Sequence, residues 1–349
     1  SRAQSVVRTG DILVSTVRPN LNAVARVPPY LDGAVCSSAF AVIRPLRAED
    51  ADTMFCLVQS PFFVETLVGA AQGSHYPAVS DSTVFALQID PSQWRGGTAG
   101  ARLLAKVSEA REVAFGIREQ TAIAAELPAS LLRSEFANGT AISIGEPRLN
   151  APTGWAWREL MEFARLESGH NPSRRRPEWW GGPVPWLALP DIRKLHGKLA
   201  HKTSETINDA GLANSSARLL PVGTVCVSRT ASIGFVTLLG RPMATSQDFC
   251  NWICDPERLD PEYLMYAFMA SQDSLRELGS GAVHKTIYMP TIQSFHVCAP
   301  AIDEQRRIAQ TLRDKLAAAE SLQIRLAERK AEIERLPQRI LAAAFGETD

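Results

Sequence analysis

The chain has 349 residues, 45% of them hydrophobic and 21% charged, and its 37 basic and 37 acidic side chains cancel to a net charge of zero. That length accommodates two domains with connecting helices, and the charge balance gives no support to a general polyanion binder. No window approaches eighteen unbroken apolar residues and no signal-peptide pattern opens the chain, while Cys36, Cys56, Cys226, Cys250, Cys254 and Cys298 show no CxxC spacing and read as buried thiols of a reducing cytosol.

In chain order, the first element is a β-type run opened by glycine, Gly10-Asp11-Ile12-Leu13-Val14-Ser15, followed by Arg18-Pro19-Asn20. Ser37-Ser38-Ala39-Phe40 and Gln72-Gly73-Ser74-His75 come next, the latter leading through a strand-like run to Pro91. Residues 103–136 then carry small or apolar side chains at Leu103, Val107, Ala110, Ala114, Ile117, Thr121, Ala124, Leu127 and Leu131. Alternating steps of three and four predict a long helix with one seam.

The same elements return. Gly223-Thr224-Val225-Cys226-Val227-Ser228 matches the first run, Thr245-Ser246-Gln247-Asp248-Phe249 the second, and Gly279-Ser280-Gly281-Ala282-Val283-His284, before Pro300, the third. Residues 312–345 repeat 103–136 at a constant separation of 209, with Leu103 opposite Leu312, Ala110 opposite Ala319 and Phe136 opposite Phe345. A gapless separation of that length marks an internal duplication. The second seam runs through Ile308, Leu312, Leu316, Ala319, Leu322, Leu326, Ile333, Leu336 and Ile340, with charges such as Glu328, Arg329 and Glu332 on the solvated face. Pro128 and Pro337 are expected to kink the last turns without ending the helices.

The reading is therefore an α/β (mixed α+β) globule followed by a long helix, used twice, with the two helices pairing as an antiparallel coiled coil. The corresponding segments are residues 1–97, 98–138, 139–300 and 301–349. By the separation of the strands, the counterpart of Trp155 falls before residue 1, so the first globule is expected to contain only its C-terminal part.

Residues 165–203 hold eight Lys or Arg against three acids. Within them, Ser168-Gly169-His170-Asn171-Pro172-Ser173-Arg174-Arg175-Arg176 combines turn formers, short hydrogen-bonding side chains and three guanidiniums, chemistry suited to phosphate oxygens and guanine edges. Such a stretch also serves as a plain solvated face.

Several of these segments, in this order, resemble the specificity subunit of type I restriction-modification enzymes. Residues 10–15 with Arg18-Pro19-Asn20 resemble its first-domain strand, and residues 219–225 with Ile233-Gly234 its second. Trp179-Trp180-Gly181-Gly182-Pro183-Val184-Pro185-Trp186 is similar to the stretch entering its recognition domain, and residues 300–309 and 340–346 resemble the start and end of its helical region. One departure is that the first helix opens with Gly96-Gly97-Thr98-Ala99-Gly100 in place of Glu-Gln. The resemblance implies a cytoplasmic, non-catalytic subunit whose globules each read half of a bipartite double-stranded DNA target. It also implies helices that act as a spacer and as the dock for modification (methyltransferase) and restriction (endonuclease/translocase) subunits, without a membrane. DNA contact is then expected from Ser168, Asn171, Ser173, Arg174, Arg175, Arg176, Arg229, Thr245, Ser246, Gln247, Ser280, His284 and Lys285, and in the first copy from Arg18, Ser74 and His75.

Catalytic signatures point the other way. Val27-Pro28-Pro29-Tyr30 resembles the Asn/Asp-Pro-Pro-Tyr motif of amino-methyltransferases, but Val27 stands where the amine-holding residue belongs and Tyr30 reads as a turn residue. No glycine-rich S-adenosylmethionine loop and no GxxxxGK[ST] is present, and His196 and His201 share no helical face and read as surface residues. Neither cofactor, metal nor catalytic residue is expected. Two other readings stay open: a fragment of a fused restriction-methylation enzyme, and a coiled-coil scaffold that has lost DNA binding.

Overall fold

The computed structural model describes residues 3–73, 76–89, 94, 96–136, 141–278 and 286–346. The chain divides into two compact units, residues 1–123 with 323–349, and residues 124–322.

The first unit contains strands β1 (Ala3–Val6), β2 (Ile12–Ser15), β3 (Val24–Arg26), β4 (Val35–Ser37) and β5 (Phe40–Ile43) and helices α1 (Ala51–Leu57), α2 (Pro61–Ala70) and α3 (Asp81–Phe85). Helix α4 (Thr98–Glu135) begins here. An antiparallel sheet runs β3-β2-β5, and β1 pairs with β4. Alternation along β2 sends Ile12 and Val14 into a core with Ala41, Val58, Phe63, Leu67 and Val84. Gly10 opens the strand at φ 85°, a left-handed turn that glycine makes without steric cost. The next residue, Asp11, is buried, and Arg44 clasps both its oxygens at 2.7 Å, holding the carboxyl below its ordinary 3.8.

The second unit holds β6 (Ile142–Ile144), β7 (Ala156–Glu159), β8 (Ala164–Ser168), β9 (Trp180–Leu187), α5 (Leu189–Leu195), β10 (Leu199–Ala200), β11 (Glu205–Ile207) and α6 (Asp209–Ala213). It continues with β12 (Val225–Ser228), β13 (Val236–Leu239), β14 (Ala244–Thr245), β15 (Phe249–Cys254), α7 (Pro261–Ala270), α8 (Gln272–Leu278), α9 (Met289–Gln293), β16 (Phe295–Ala299) and the start of α10 (Ile302–Ile333). The largest sheet is ordered β10-β13-β12-β15-β8, and smaller ones are β11-β9-β14 and β6-β16-β7. One face of the large sheet, with Val225, Val227, Val236 and Trp252, packs on α7 and α10. Its other face, with Cys226, Leu239 and Phe249, packs on Leu187 and Ile192.

The duplication read in the sequence is present in the strand registers. Ile12 pairs with Arg26 and Ile43, and Val225 with Leu238 and Trp252. After these strands the bridge Val17–Ala78 has its counterpart in Thr230–Thr286. The copies differ at their edges: β13 and β15 are flanked by β10 and β8, whereas among the described residues β3 and β5 are edge strands.

Each unit contains a segment of the helix pair, and each segment is antiparallel. In the first, Leu103 and Val107 of α4 pack with Leu341 and Phe345 of α11 (Leu336–Phe345), and Arg118 faces Glu334 at 3.8 Å. In the second, Leu132 and Phe136 pack with Ile308 and Leu312, and Lys315 pairs with Glu135 at 2.6 Å. The seam holds as read through Ala124, but beyond each proline burial shifts by one residue, to Leu132 and Leu341, with Leu131 and Ile340 only half-buried. Pro128 lies inside α4, as expected. Pro337 corrects the expectation for its copy: α10 ends at Ile333, the residue whose carbonyl the Pro337 ring would strike, and α11 starts afresh with the proline in its first turn. Among the described residues no single helix is long and apolar enough to cross a membrane.

Candidate nucleic-acid interface

Three loops of the second unit meet at one end of its sheets: residues 169–176 after β8, 228–232 after β12, and 245–248 between β14 and β15. Gly169 is required where the first crosses the third, because a β-carbon there would overlap the Ser246 carbonyl oxygen. The His170 N–H donates to the Thr245 carbonyl at 2.9 Å, and Trp186 Nε1–H to the His170 carbonyl at 3.2 Å. Asn171 Oδ1 accepts the Gln247 N–H at 3.1 Å. From the other side, Arg229 Nε–H donates to the Gln247 carbonyl at 3.1 Å and its Nη1 to the Ile287 carbonyl at 3.3 Å. Thr230 Oγ1–H donates to Asp248 at 2.6 Å.

The three arginines have different surroundings. The Arg174 guanidinium lies 3.7 Å from the Trp180 ring centroid and forks onto the Glu205 carboxylate, its Nη2 2.8 Å from Oε2. That pairing holds Glu205 below its ordinary 4.5 and pushes Arg174 up. Arg176 faces Glu178 at 3.4 Å, both exposed. Arg175 is exposed, and among the described residues its guanidinium has no partner. Ser168 and Ser173 are exposed, the latter accepting the Arg175 N–H on Oγ at 3.3 Å.

Thr245 and Ser246 are buried, in a supporting place beneath the surface. Thr245 Oγ1 accepts from Asn251 Nδ2 at 2.9 Å, and Ser246 Oγ–H donates to Asp248 at 2.9 Å. Gln247 is exposed, and among the described residues its side-chain amide has no partner. Ser280, His284 and Lys285, and in the first copy Ser74 and His75, lie outside the described residues. Arg18 is exposed in the first unit, with its guanidinium 4.6 Å from the Tyr76 ring centroid and its N–H donating to the Pro77 carbonyl at 2.7 Å.

Sequence reasoning missed Glu205, Trp180 and Asp248 as the groups that fix these loops. Only the tryptophan run gave a signal for one of them; Glu205 stands 31 positions from Arg174 with nothing in the pattern to connect the two. His196 also differs from its expected surface position. It is half-buried, its Nδ1 accepts the Val236 N–H at 3.1 Å, and its ring stands edge-on to Phe235. Tyr30 is 84% exposed in a short turn, as its sequence suggests, and Val27 is buried. All six cysteines are unpaired, four of them buried. Burial pushes the Cys250 thiol up to about 12 and that of Cys56 to about 11, far from a nucleophile's range.

A duplicated α/β unit linked to long paired helices, with exposed amide and guanidinium groups on the braced loops of its second copy, defines a modular two-copy architecture. Residues 152–335 match the family model described as the type I restriction modification DNA specificity domain. The type I restriction enzyme MjaIX specificity subunit of Methanocaldococcus jannaschii is 26% identical over 163 residues, 46% of this chain and 38% of that protein. The HindI specificity subunit of Haemophilus influenzae is 27% identical over 132 residues, 37% of this chain and 28% of that one. These matches span well under two thirds of the curated relatives' length. The solved HsdS subunit from Thermoanaerobacter tengcongensis is 26% identical with a TM-score of 0.65, covering 99% of this chain and 83% of that one. A solved chain of a type I R-M system, from work on its complex assembly and conformational transition, gives 26% identity and a TM-score of 0.69, covering 99% and 84%. The chain belongs to the type I restriction-modification DNA specificity family.

Proposed function

We propose that this chain is the DNA-reading specificity subunit of a type I restriction-modification complex and has no active site of its own. The observation that carries the reading is the loop cluster of the second unit, where the Asn171 and Arg229 side chains fix the Gln247 backbone while the Gln247 amide and the Arg175 guanidinium are left exposed and unpartnered among the described residues. A free amide and a free guanidinium on a braced surface suit base edges and phosphates respectively. The candidates Ser168, Asn171, Ser173, Arg174, Arg176, Arg229, Thr245 and Ser246 surround or support that surface. Ser280, His284 and Lys285, with Arg18, Ser74 and His75 in the first copy, complete the proposed contact set. The two helical segments, residues 98–138 and 301–349, serve as spacer and as the dock for modification and restriction subunits, which bring the methyl donor and the chemistry. The assembly works in the cytoplasm, in keeping with the unpaired cysteines.

Selection from a random duplex library, with binding measured at several salt concentrations, tests this. The expected result is an enriched motif and an affinity that falls with salt. An enriched motif with no methylation by the chain alone supports a specificity subunit over a fused enzyme, and the absence of both motif and binding favours the scaffold.

A further inference from the structure

The turn that carries Gln247 occurs in both copies. Ser246 Oγ accepts the Asp248 N–H at 3.3 Å, and 209 positions earlier Ser37 Oγ accepts the Ala39 N–H at 3.3 Å. The carbonyl of the turn's last residue is bonded alike, from the Arg229 N–H to Asp248 at 2.8 Å and from the Thr16 N–H to Ala39 at 2.9 Å. Frame and hydrogen bonds are kept; the exposed tip is changed, Gln247 in one copy and Ser38 in the other. A stability role requires no such difference at an exposed tip, whereas two readers of different sequences do.

The tip of the second copy is also the more tightly held. Asn171 binds the Gln247 N–H and Arg229 its carbonyl, so both backbone polar groups of that one residue are gripped by side chains from the other two loops. Asn171 commits its Oδ1 and Arg229 its Nε–H to this grip, and Thr245 and Ser246 are buried beneath it. Among the three residues of this contact, Gln247 is the one whose side-chain amide keeps both its oxygen and its nitrogen uncommitted among the described residues. A carboxamide offers one donor and one acceptor side by side, the complement of adenine N7 and N6–H in the major groove. A fixed backbone removes part of the ordering cost that a mobile glutamine would bear on binding.

We propose that Gln247 is the base-reading residue of this loop cluster and that it selects an adenine, with Asn171 and Arg229 acting as positioning residues. The inference rests on the DNA-reading function proposed above. The test is selection on random duplexes with the full chain, unaltered and as Gln247→Ala, Gln247→Glu and Asn171→Ala, with urea unfolding as a check on the fold. The unaltered chain enriches adenine at one position of its motif. Gln247→Ala loses that preference by roughly 5- to 150-fold and keeps the preferences at other positions. Gln247→Glu, an acceptor only, moves the preference at that position toward cytosine, whose N4 amino group donates. Asn171→Ala blurs the same position with Gln247 still present. Unchanged preferences in Gln247→Ala, or an affinity loss spread evenly over every sequence, overturn the assignment by showing that the amide faces solvent or phosphate. An unaltered chain that selects no motif overturns the proposed function itself, so the two failures are distinct.

Discussion

Arg18 and Ala231 stand at equivalent points of the two copies and hold one backbone conformation, at φ 52° and 51°. For an L-residue the left-handed region costs about 1–2 kcal/mol, so each must be held there by its surroundings. The holding bonds are the same in both. The Val79 N–H donates to the Thr16 carbonyl and the Ile287 N–H to the Arg229 carbonyl, at 2.9 and 2.8 Å, two residues before the strained position. The frame thus fixes an outward-facing corner twice and displays a guanidinium in one copy and a methyl group in the other, the same pattern of kept frame and changed tip as at Ser38 and Gln247.

Strain of this kind predicts its own relief. Ala231→Gly removes the clash at the cost of a looser unfolded chain, and the balance should stabilise the protein by about 0.5–1 kcal/mol. Ala231→Val, β-branched, should destabilise it. Urea midpoints at unchanged slope measure both. A lower midpoint for Ala231→Gly would show that the corner stores no strain.

Much of this architecture is legible in the amino-acid sequence. The constant separation of the helices and the seam through Leu103, Val107 and Ala110 follow from burial acting at helical period, and Gly10 and Gly223 announce strands because each opens one through a left-handed turn. The loops were legible in composition but not in partnership. Arg174, Arg175 and Arg176 are identical letters in sequence, and what separates them is a carboxylate on β11 and an indole on β9 that only the folded sheet β11-β9-β14 brings to Arg174. The place of His196 is hidden in the sequence for the same reason: it accepts from Val236, 40 positions on.

Acid should destabilise the protein in two steps. Burial, with the Arg276 charge adding to it, holds His196 below its ordinary 6.5, and the Val236 N–H bond needs an unprotonated Nδ1. The unfolded chain therefore binds the proton more readily, and stability is full above about pH 6.5 and declines as pH falls below it. Asp11 is depressed from 3.8 by Arg44, so its contribution persists until pH falls below that value and through the folded one. Between pH 7.5 and 5.5 the loss should be smaller in His196→Asn, whose amide oxygen can still accept from Val236. An equal loss in both proteins would assign the effect to other groups.

Phe136 closes the first copy of the helical repeat. It is 1% exposed, with ring centroids 5.5 Å from Tyr263 and 6.4 Å from Trp155. Phe136→Ala should cost about 3–5 kcal/mol through lost transfer energy and the cavity left behind, and Phe136→Leu considerably less. Phe345, 0% exposed, is its counterpart and should behave alike. Tryptophan fluorescence during urea unfolding reads the Phe136 variants directly, since Trp155 lies against the ring. A cost below about 1 kcal/mol for Phe136→Ala would mean that the site collapses around the loss.

The arginine loop offers the sharpest separation of roles. Every phosphate neutralised by a free cation steepens the salt dependence of DNA binding by roughly 0.9 in the logarithmic slope. Arg175, unpartnered among the described residues, should deliver that full amount, so Arg175→Ala should flatten the slope by about 0.9. Arg174 is already compensated by Glu205 and stacked on Trp180, and a compensated charge neutralises less phosphate and so displaces fewer of the counterions condensed on DNA. Arg174→Ala should therefore change the slope less while loosening the loop that carries Asn171, and Glu205→Gln should steepen the slope by freeing Arg174. Binding constants at four or more salt concentrations for the three variants decide the matter. Equal flattening by Arg174→Ala and Arg175→Ala would show that DNA displaces the carboxylate and that both arginines act as phosphate contacts, as the composition of the loop alone implies.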